Sequence, residues 1–385
     1  MSRSFTLISG ALKNVGDFLI FNKAKELITH FLKPTNTLIH SRTDEIKDQI
    51  SEVNDTDAIF ICGGPGYRTH FYPMTYPFLK NIDKITIPII PYGLGWQGLP
   101  RYLPEKFRFS PLSEKYIHRI HHHIPTSTTR DEITKEILNR MGVNNVINSG
   151  CPTLFEFDKL RNNQAFQKPT RIDNVVISMA QDHHLHNQNV ELLRAVNQLF
   201  PKATKYALFH RGIEADDKTT EEEGNTLRKL VSKSRQEGYE IIDLAYDLNQ
   251  MDIYENADIH IGYRVHGHAF SVSKRIPTFI IWEDGRGQGM STNLGLQGIP
   301  AFKIKFLDKL PRPQRFNRYF NYIEAKAPIL NQFPINDSAV KEIIALVQSQ
   351  ISNNFEAFDH VPGRLELLFS RMTKFFSMTE KFLYN

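Results

Sequence analysis

Short apolar runs rich in β-formers recur along the whole chain, and each hands over to a glycine or polar turn. Phe5-Thr6-Leu7-Ile8 opens the series, followed by a turn at Asn14 to Asp17 and a helical period from Phe18 to Leu32. Thr37 to His40, Ala58 to Cys62 and Ile87 to Pro91 repeat the design. Runs this short, buried on both faces and separated by helical spacing, make a parallel sheet wound with helices. The expectation for the first half is a Rossmann-like domain.

Lys159 to Asp173 breaks the pattern: it is polar, carries Pro169 and has no apolar period, as a linker would. A second series of strands then follows at Val175 to Ser178, Lys205 to Phe209, Glu240 to Asp243, Ile259 to Gly262 and Thr278 to Trp282. Asn189 to Leu199, Glu221 to Glu237 and His266 to Lys274 between them have helical spacing. The expected fold is therefore α/β, with two doubly wound Rossmann-like domains at residues 1–165 and 166–335. A helical tail over 336–385 packs on them. Such a pair leaves a cleft between the carboxyl ends of both sheets, where ligands of these folds bind. In the tail, Leu365, Leu367, Leu368, Met372, Phe375, Phe376 and Phe382 are interspersed with Arg364, Arg371, Lys374 and Lys381. That basic amphipathic helix reads as a packing element, with a peripheral contact to a membrane surface as the alternative.

Composition removes several classes of function. Two cysteines in 385 residues cannot staple a secreted framework, so reduced thiols and a cytoplasmic location are expected. No run approaches the roughly 18 apolar residues of a membrane span. The 47 Lys and Arg against 42 Asp and Glu leave a net charge of +5, which suits an anionic ligand but is too dispersed for nucleic acid.

The chemistry-bearing residues gather at strand ends. Asn14-Val15-Gly16-Asp17 stands where the first strand meets the first helix, so Asp17 either caps the helix or orients a hydroxyl and takes its proton. Gly63-Gly64-Pro65-Gly66 follows the Ala58 to Cys62 run, either as a tight turn or as a loop admitting a ligand. It lacks the spacing of a dinucleotide fingerprint, and no G-x-x-x-x-G-K-[ST] loop occurs, so NAD and ATP lose their main warrant. Tyr92 and Trp96 in Pro91 to Gly98 offer an aromatic platform for a sugar, or simply stiffen a loop. Arg130 precedes a helix start at Asp131-Glu132, facing the cleft or holding that start by an ion pair.

The densest motif is Tyr263-Arg264-Val265-His266, at the end of an apolar strand and the start of a small-residue helix. Arginine grips carboxylate or phosphate through two parallel bonds, and histidine exchanges a proton near neutral pH. Arg286 after the next strand and Arg211 after the Lys205 to Phe209 strand bring further cations to the same edge. His121-His122-His123 and His183-His184 lack zinc-ligand spacing and read as surface or rim residues, so no metal is expected.

In order and spacing, Asn14 to Asp17, Gly63-Gly64, Thr129-Arg130-Asp131 with Met141-Gly142-Val143, and Arg264-Val265-His266 with Ile276-Pro277 resemble the polysaccharide pyruvyl transferase family. The resemblance implies a GT-B-like pair of domains, the first on the acceptor side and the second on the donor side. It implies transfer of pyruvate from phosphoenolpyruvate to two hydroxyls of a cell-surface polysaccharide or its precursor, with a ketal formed and phosphate released. The expected partners are phosphoenolpyruvate, as co-substrate with no other cofactor, and a sugar or lipid-linked glycan acceptor. Arg264 would hold the donor, His266 act as acid and Asp17 serve the acceptor. Arg211, Arg130, Arg286, Gly63 and Gly64 would complete the donor side, and Asn14, Tyr92 and Trp96 the acceptor side. Pro65 and the Gly285-Arg286-Gly287 context depart from the family's usual residues. A nucleotide-sugar glycosyltransferase or a non-catalytic glycan-binding protein on the same fold are the alternatives.

Overall fold

In a computed structural model, residues 3–98, 103–303 and 334–385 are described. Strands β1 (Ser4–Ser9), β2 (Asn36–Ser41), β3 (Ala58–Cys62) and β4 (Ile89–Tyr92) form a parallel sheet in the order β2-β1-β3-β4. Central β3 is buried at every residue and reads as one unbroken apolar run, whereas edge strand β2 is half exposed and mixes polar residues in. Helix α1 (Val15–Leu32) crosses from β1 to β2, and the short α2 (Ile50–Asn54) from β2 to β3. Beyond β4 come α3 (Pro111–His122), β5 (Ser127–Thr129), α4 (Glu132–Arg140), β6 (Val146–Asn148) and α5 (Phe157–Arg161). β5 and β6 pair with each other, and a single bridge from Leu94 to Thr129 ties them to the first sheet.

The second sheet holds β7 (Asn174–Ser178), β8 (Thr204–Phe209), β9 (Glu240–Asp243), β10 (Ile259–Gly262), β11 (Thr278–Trp282) and β12 (Ile299–Pro300). All run parallel in the order β12-β11-β10-β7-β8-β9, which is the doubly wound dinucleotide-fold order counted from β7. Helices α6 (His186–Leu199), α7 (Glu221–Gln236), α8 (Val265–Ser273) and α9 (Gly285–Leu294) cover it. Strand order reverses at β1/β3 in the first sheet and at β7/β10 in the second, and those two points are where a ligand crevice opens. The two-sheet α/β fold expected from the sequence is the fold found.

Both sheets share packing. Val15 and Leu19 of α1 lie in one apolar cluster with Val176, Leu208, Tyr254 and Phe270 of the second half. Helix α8 is buried at all its residues because Gly267, Ala269, Ser271 and Ser273 let backbone and neighbours close in. The chain ends in α10 (Ala339–Ser352) and α11 (Val361–Tyr384), the former against α6 and β11, the latter against α1, β5 and β6. Leu365, Leu368, Met372, Phe375 and Phe376 of α11 are buried in that contact, so its apolar face is spent on the protein itself. Leu367 and Phe382 stay exposed. No described helix is long and apolar enough to cross a membrane, and both cysteines are buried free thiols.

Candidate functional site

The loop between β1 and α1 starts the site. Asn14 caps α1 by accepting the Gly16 N–H at 3.2 Å, and the Val15 N–H donates to the His210 carbonyl at 3.0 Å across the two halves. Lys13 is buried beside it, paired with Asp216 at 2.9 Å and donating to Thr219 Oγ1 at 2.8 Å. These bonds lock the end of β1 against the end of β8, and a cleft of about 900 Å³ opens in front of them.

From the second half, Arg211, Arg264 and Arg286 line that cleft, with Glu283 and Asp284 between them. Arg264 caps the start of α8, its backbone N–H bonded to Ser178 Oγ at 3.1 Å, and its side chain is only 10% exposed. The Glu283 carboxylate stands 3.6 Å from it, a loose pair. Arg286 is gripped harder: its Nε donates to both Asp284 oxygens at 2.9 Å, and Asp284 also caps α9. Burial opposes charging Asp284, but the Arg286 guanidinium outweighs it and holds the carboxyl below its usual range. Glu283 has no such clamp, and burial pushes its pKa up.

From the first half, Asn14, Asp17, Arg42, Arg68 and Gln97 form the facing wall. Burial raises the pKa of Asp17 above the usual carboxylate value although Arg42, Arg286, Arg264 and Arg211 all pull it down. A carboxyl held that way can both take and give a proton.

The structure therefore brings Asn14, Asp17, Arg211, Arg264 and Arg286 together and leaves other expected residues off the cleft wall. Tyr92 is fully buried, its ring stacked on Phe375 at 5.5 Å and its hydroxyl donating to Met372 Sδ at 3.1 Å. Trp96 is 1% exposed and wedged against Phe107 and Gly285, where a larger residue than glycine would strike its ring. Arg130 is 1% exposed, donating to the Trp96 carbonyl at 3.1 Å, with its Nη1 buried unbonded. The aromatic platform is thus core, and Arg130 acts on the cleft only through its field. Gly63 and Gly64 take positive φ angles of 63° and 81° to make the turn after β3, and Pro65 rather than either glycine reaches the cleft.

His266, expected beside Arg264 at the cleft, is not among the residues that line it. It is 3% exposed and lies directly behind Gly16, so close that a Cβ there would collide with Nδ1. Burial, reinforced by Arg286, Arg130 and Arg264, depresses its pKa well below the usual histidine value. Its Nε2 is buried without a hydrogen-bond partner. Among the other histidines, His121 is not at the surface but bonded inside to Ile117 O and Ser127 Oγ. Asp182, His183 and His184 do stand at the cleft rim, their ligand atoms within 4.8 Å of one another, and are the described group able to hold a metal ion.

Arg42, Arg68 and Gln97 were missed by motif reading. Arg42 follows β2 and Arg68 follows the turn after β3, so the strand-end rule that picked out Arg264 also applies to them.

A family model described as polysaccharide pyruvyl transferase matches residues 14–285, from the cap of α1 to the first residue of α9. No curated protein sequence matches significantly. Among solved structures, the chain is similar to MnaA of S. aureus in a co-structure with UDP, at 7% identity and TM-score 0.54, covering 100% of this chain and 97% of that one. A putative UDP-N-acetylglucosamine 2-epimerase from Listeria monocytogenes is similar at 10% identity and TM-score 0.53, with 97% and 95% covered. Likeness at that identity concerns the fold, which is GT-B-like.

Proposed function

The chain belongs to the polysaccharide pyruvyl transferase family, and from that premise we propose that it moves pyruvate from phosphoenolpyruvate onto two hydroxyls of a sugar. The product is a cyclic ketal on a cell-surface polysaccharide or its precursor, and phosphate leaves. The observation that carries this reading is the cleft wall of Arg264, Arg286 and Arg211 facing Asp17. Phosphoenolpyruvate bears a carboxylate and a phosphate, which three guanidiniums can neutralise.

The reaction needs two proton movements. In the first step the hydroxyl oxygen bonds to the enol carbon, and the methylene carbon gains a proton to become a methyl. Asp17 accepts the hydroxyl proton, being the unclamped carboxyl on the acceptor wall. His266 supplies the methyl proton. Burial first, then Arg286, Arg130 and Arg264, hold its pKa well below the usual histidine value, and the donor's negative charge offsets the arginine part of that depression. In the second step the other hydroxyl bonds to the same carbon, the C–O bond to phosphate breaks, and phosphate departs with the hydroxyl proton.

The UDP co-structure of MnaA supports a second reading, a transferase using a nucleotide sugar. Thermal shift separates the two. The first reading expects stabilisation by phosphoenolpyruvate, reduced at least tenfold in apparent affinity in Arg264→Ala, and no hydrolysis of UDP-N-acetylglucosamine. Stabilisation by the nucleotide sugar together with its hydrolysis, and none by phosphoenolpyruvate, selects the second.

A further inference from the structure

The arginines that line the cleft differ in whether a carboxylate answers them. Arg264 is answered by Glu283 at 3.6 Å and Arg286 by Asp284 at 2.7 Å. Arg42 and Arg68 on the opposite wall have no carboxylate within ion-pair distance among the described residues. Arg68 instead donates from Nε to the Pro65 carbonyl at 3.2 Å. The two guanidiniums also oppose each other: Arg68 loses proton affinity first to burial, next to Arg42 and then to Arg286 on the facing wall. Holding two like charges together, partly out of water, costs free energy that a bound anion would recover.

Their setting says what kind of anion. Arg42 follows β2 and Arg68 follows the turn after β3, and these strands flank β1 in the sheet. The two strand ends therefore flank the start of α1, whose first turn carries Asp17. Next to Arg68 stands Gln97, joined through its N–H to the Tyr67 carbonyl at 3.1 Å. Its side chain lines the cleft, yet its Oε1 is buried without a donor. A buried carbonyl oxygen without a donor is a place for a ligand hydroxyl or amide.

We propose that Arg42 and Arg68 form a second anion site, which grips a phosphate or diphosphate ester carried by the acceptor sugar while Gln97 accepts from one of that sugar's polar hydrogens. This deepens the pyruvyl-transfer reading and rests on it for the word acceptor; the anion site itself does not depend on it. Asp17 stands between the donor arginines and this pair, where a group that takes a proton from an acceptor hydroxyl has to be. A sugar 1-phosphate, a nucleotide sugar and a lipid-linked sugar diphosphate share the recognised chemistry.

Calorimetry on the full chain tests the site with N-acetylglucosamine 1-phosphate, UDP-N-acetylglucosamine, a polyprenyl diphosphate N-acetylglucosamine in detergent, unphosphorylated N-acetylglucosamine and phosphoenolpyruvate. Wild type should bind at least one phosphorylated sugar at least tenfold more tightly than the plain sugar, and which of the three binds best identifies the source of the ester. The Arg42→Gln/Arg68→Gln double variant should lose that tenfold while phosphoenolpyruvate affinity changes less than twofold. A larger loss for phosphoenolpyruvate than for the phosphorylated sugars would assign the pair to the donor and overturn the proposal. So would equal binding of plain and phosphorylated sugar, or no binding of any phosphorylated sugar. Phosphorylated-sugar binding that depends on the pair, with no phosphoenolpyruvate binding at any concentration, leaves the anion site standing and removes the pyruvyl reading. Circular dichroism of the double variant confirms that charge, not fold, was removed.

Discussion

At the residue scale, Gly16 makes the clearest prediction. It lies in the first turn of α1, where alanine would ordinarily favour the helix by up to about 1 kcal/mol. Here a methyl group would run into the His266 ring, and overpacking of that kind costs about 1–3 kcal/mol. Gly16→Ala should therefore lower the melting temperature and also depress pyruvyl transfer, since imidazole and Asp17 both shift with that turn; a higher melting temperature with full activity would mean the two are not packed as described. Legibility at this scale followed chemistry that is local in sequence. Arg264 and His266 sit two apart at a strand end and could be read as a pair. Arg42, Arg68 and Gln97 meet only through sheet order, which no local pattern encodes. Tyr92 and Trp96 erred the other way: an aromatic near a glycine turn reads alike whether it faces a cleft or a core, and α11, far off in sequence, decides the matter for Tyr92.

At the scale of elements, strands were legible because parallel central strands are unbroken apolar runs. Ala58–Cys62, Ile259–Gly262 and Thr278–Trp282 fall where the sequence puts them, as does the edge strand Glu240–Asp243. Helix α9 was not legible, because Gly285, Gly287 and Gly289 in one helix are poor helix formers. They are required by closeness: side chains of Trp96, Trp282 and Asp131 occupy the space their Cβ atoms would need. β5 and β6, three residues each, are too short to carry a period. The apolar face of the amphipathic α11 is buried against the protein, and its cost of removal follows. Phe375 is fully buried against Tyr92, so Phe375→Ala should destabilise by about 3–5 kcal/mol in chemical denaturation. Donor affinity of the folded protein should stay unchanged, because neither residue lines the cleft.

At the scale of the whole molecule, the fold hides an unusual number of neutral imidazoles. Burial lowers the pKa of His121 to about 4 and that of His268 to about 3, and drives those of His210, His260 and His266 well below the usual value. In the unfolded chain these groups take up protons below about pH 6.5, whereas the folded chain refuses them. Stability should thus be complete above pH 6.5 and be lost progressively from there toward pH 4. Each ring that stays neutral in the fold while its unfolded counterpart is charged removes about 1.4 kcal/mol for every pH unit of acidification. The buried carboxyls of Asp17, Asp131 and Glu283, with raised pKa values, act in the opposite sense, but only near and below their own titration. Calorimetric melting across pH 5 to 7 should fall steadily with acid; a flat profile would mean that these rings are solvated. The proposed pyruvyl transfer, for its part, requires a donor arginine cluster facing a proton-carrying carboxyl. Incubating the protein with phosphoenolpyruvate and a panel of glycans, phosphorylated and plain, and weighing the products by mass spectrometry tests that requirement at its root. A glycan heavier by one pyruvate ketal should form, with phosphate released in equal amount and neither seen with Arg264→Ala. Phosphoenolpyruvate left intact with every glycan, or a ketal made equally well without the Arg264 guanidinium, would contradict it.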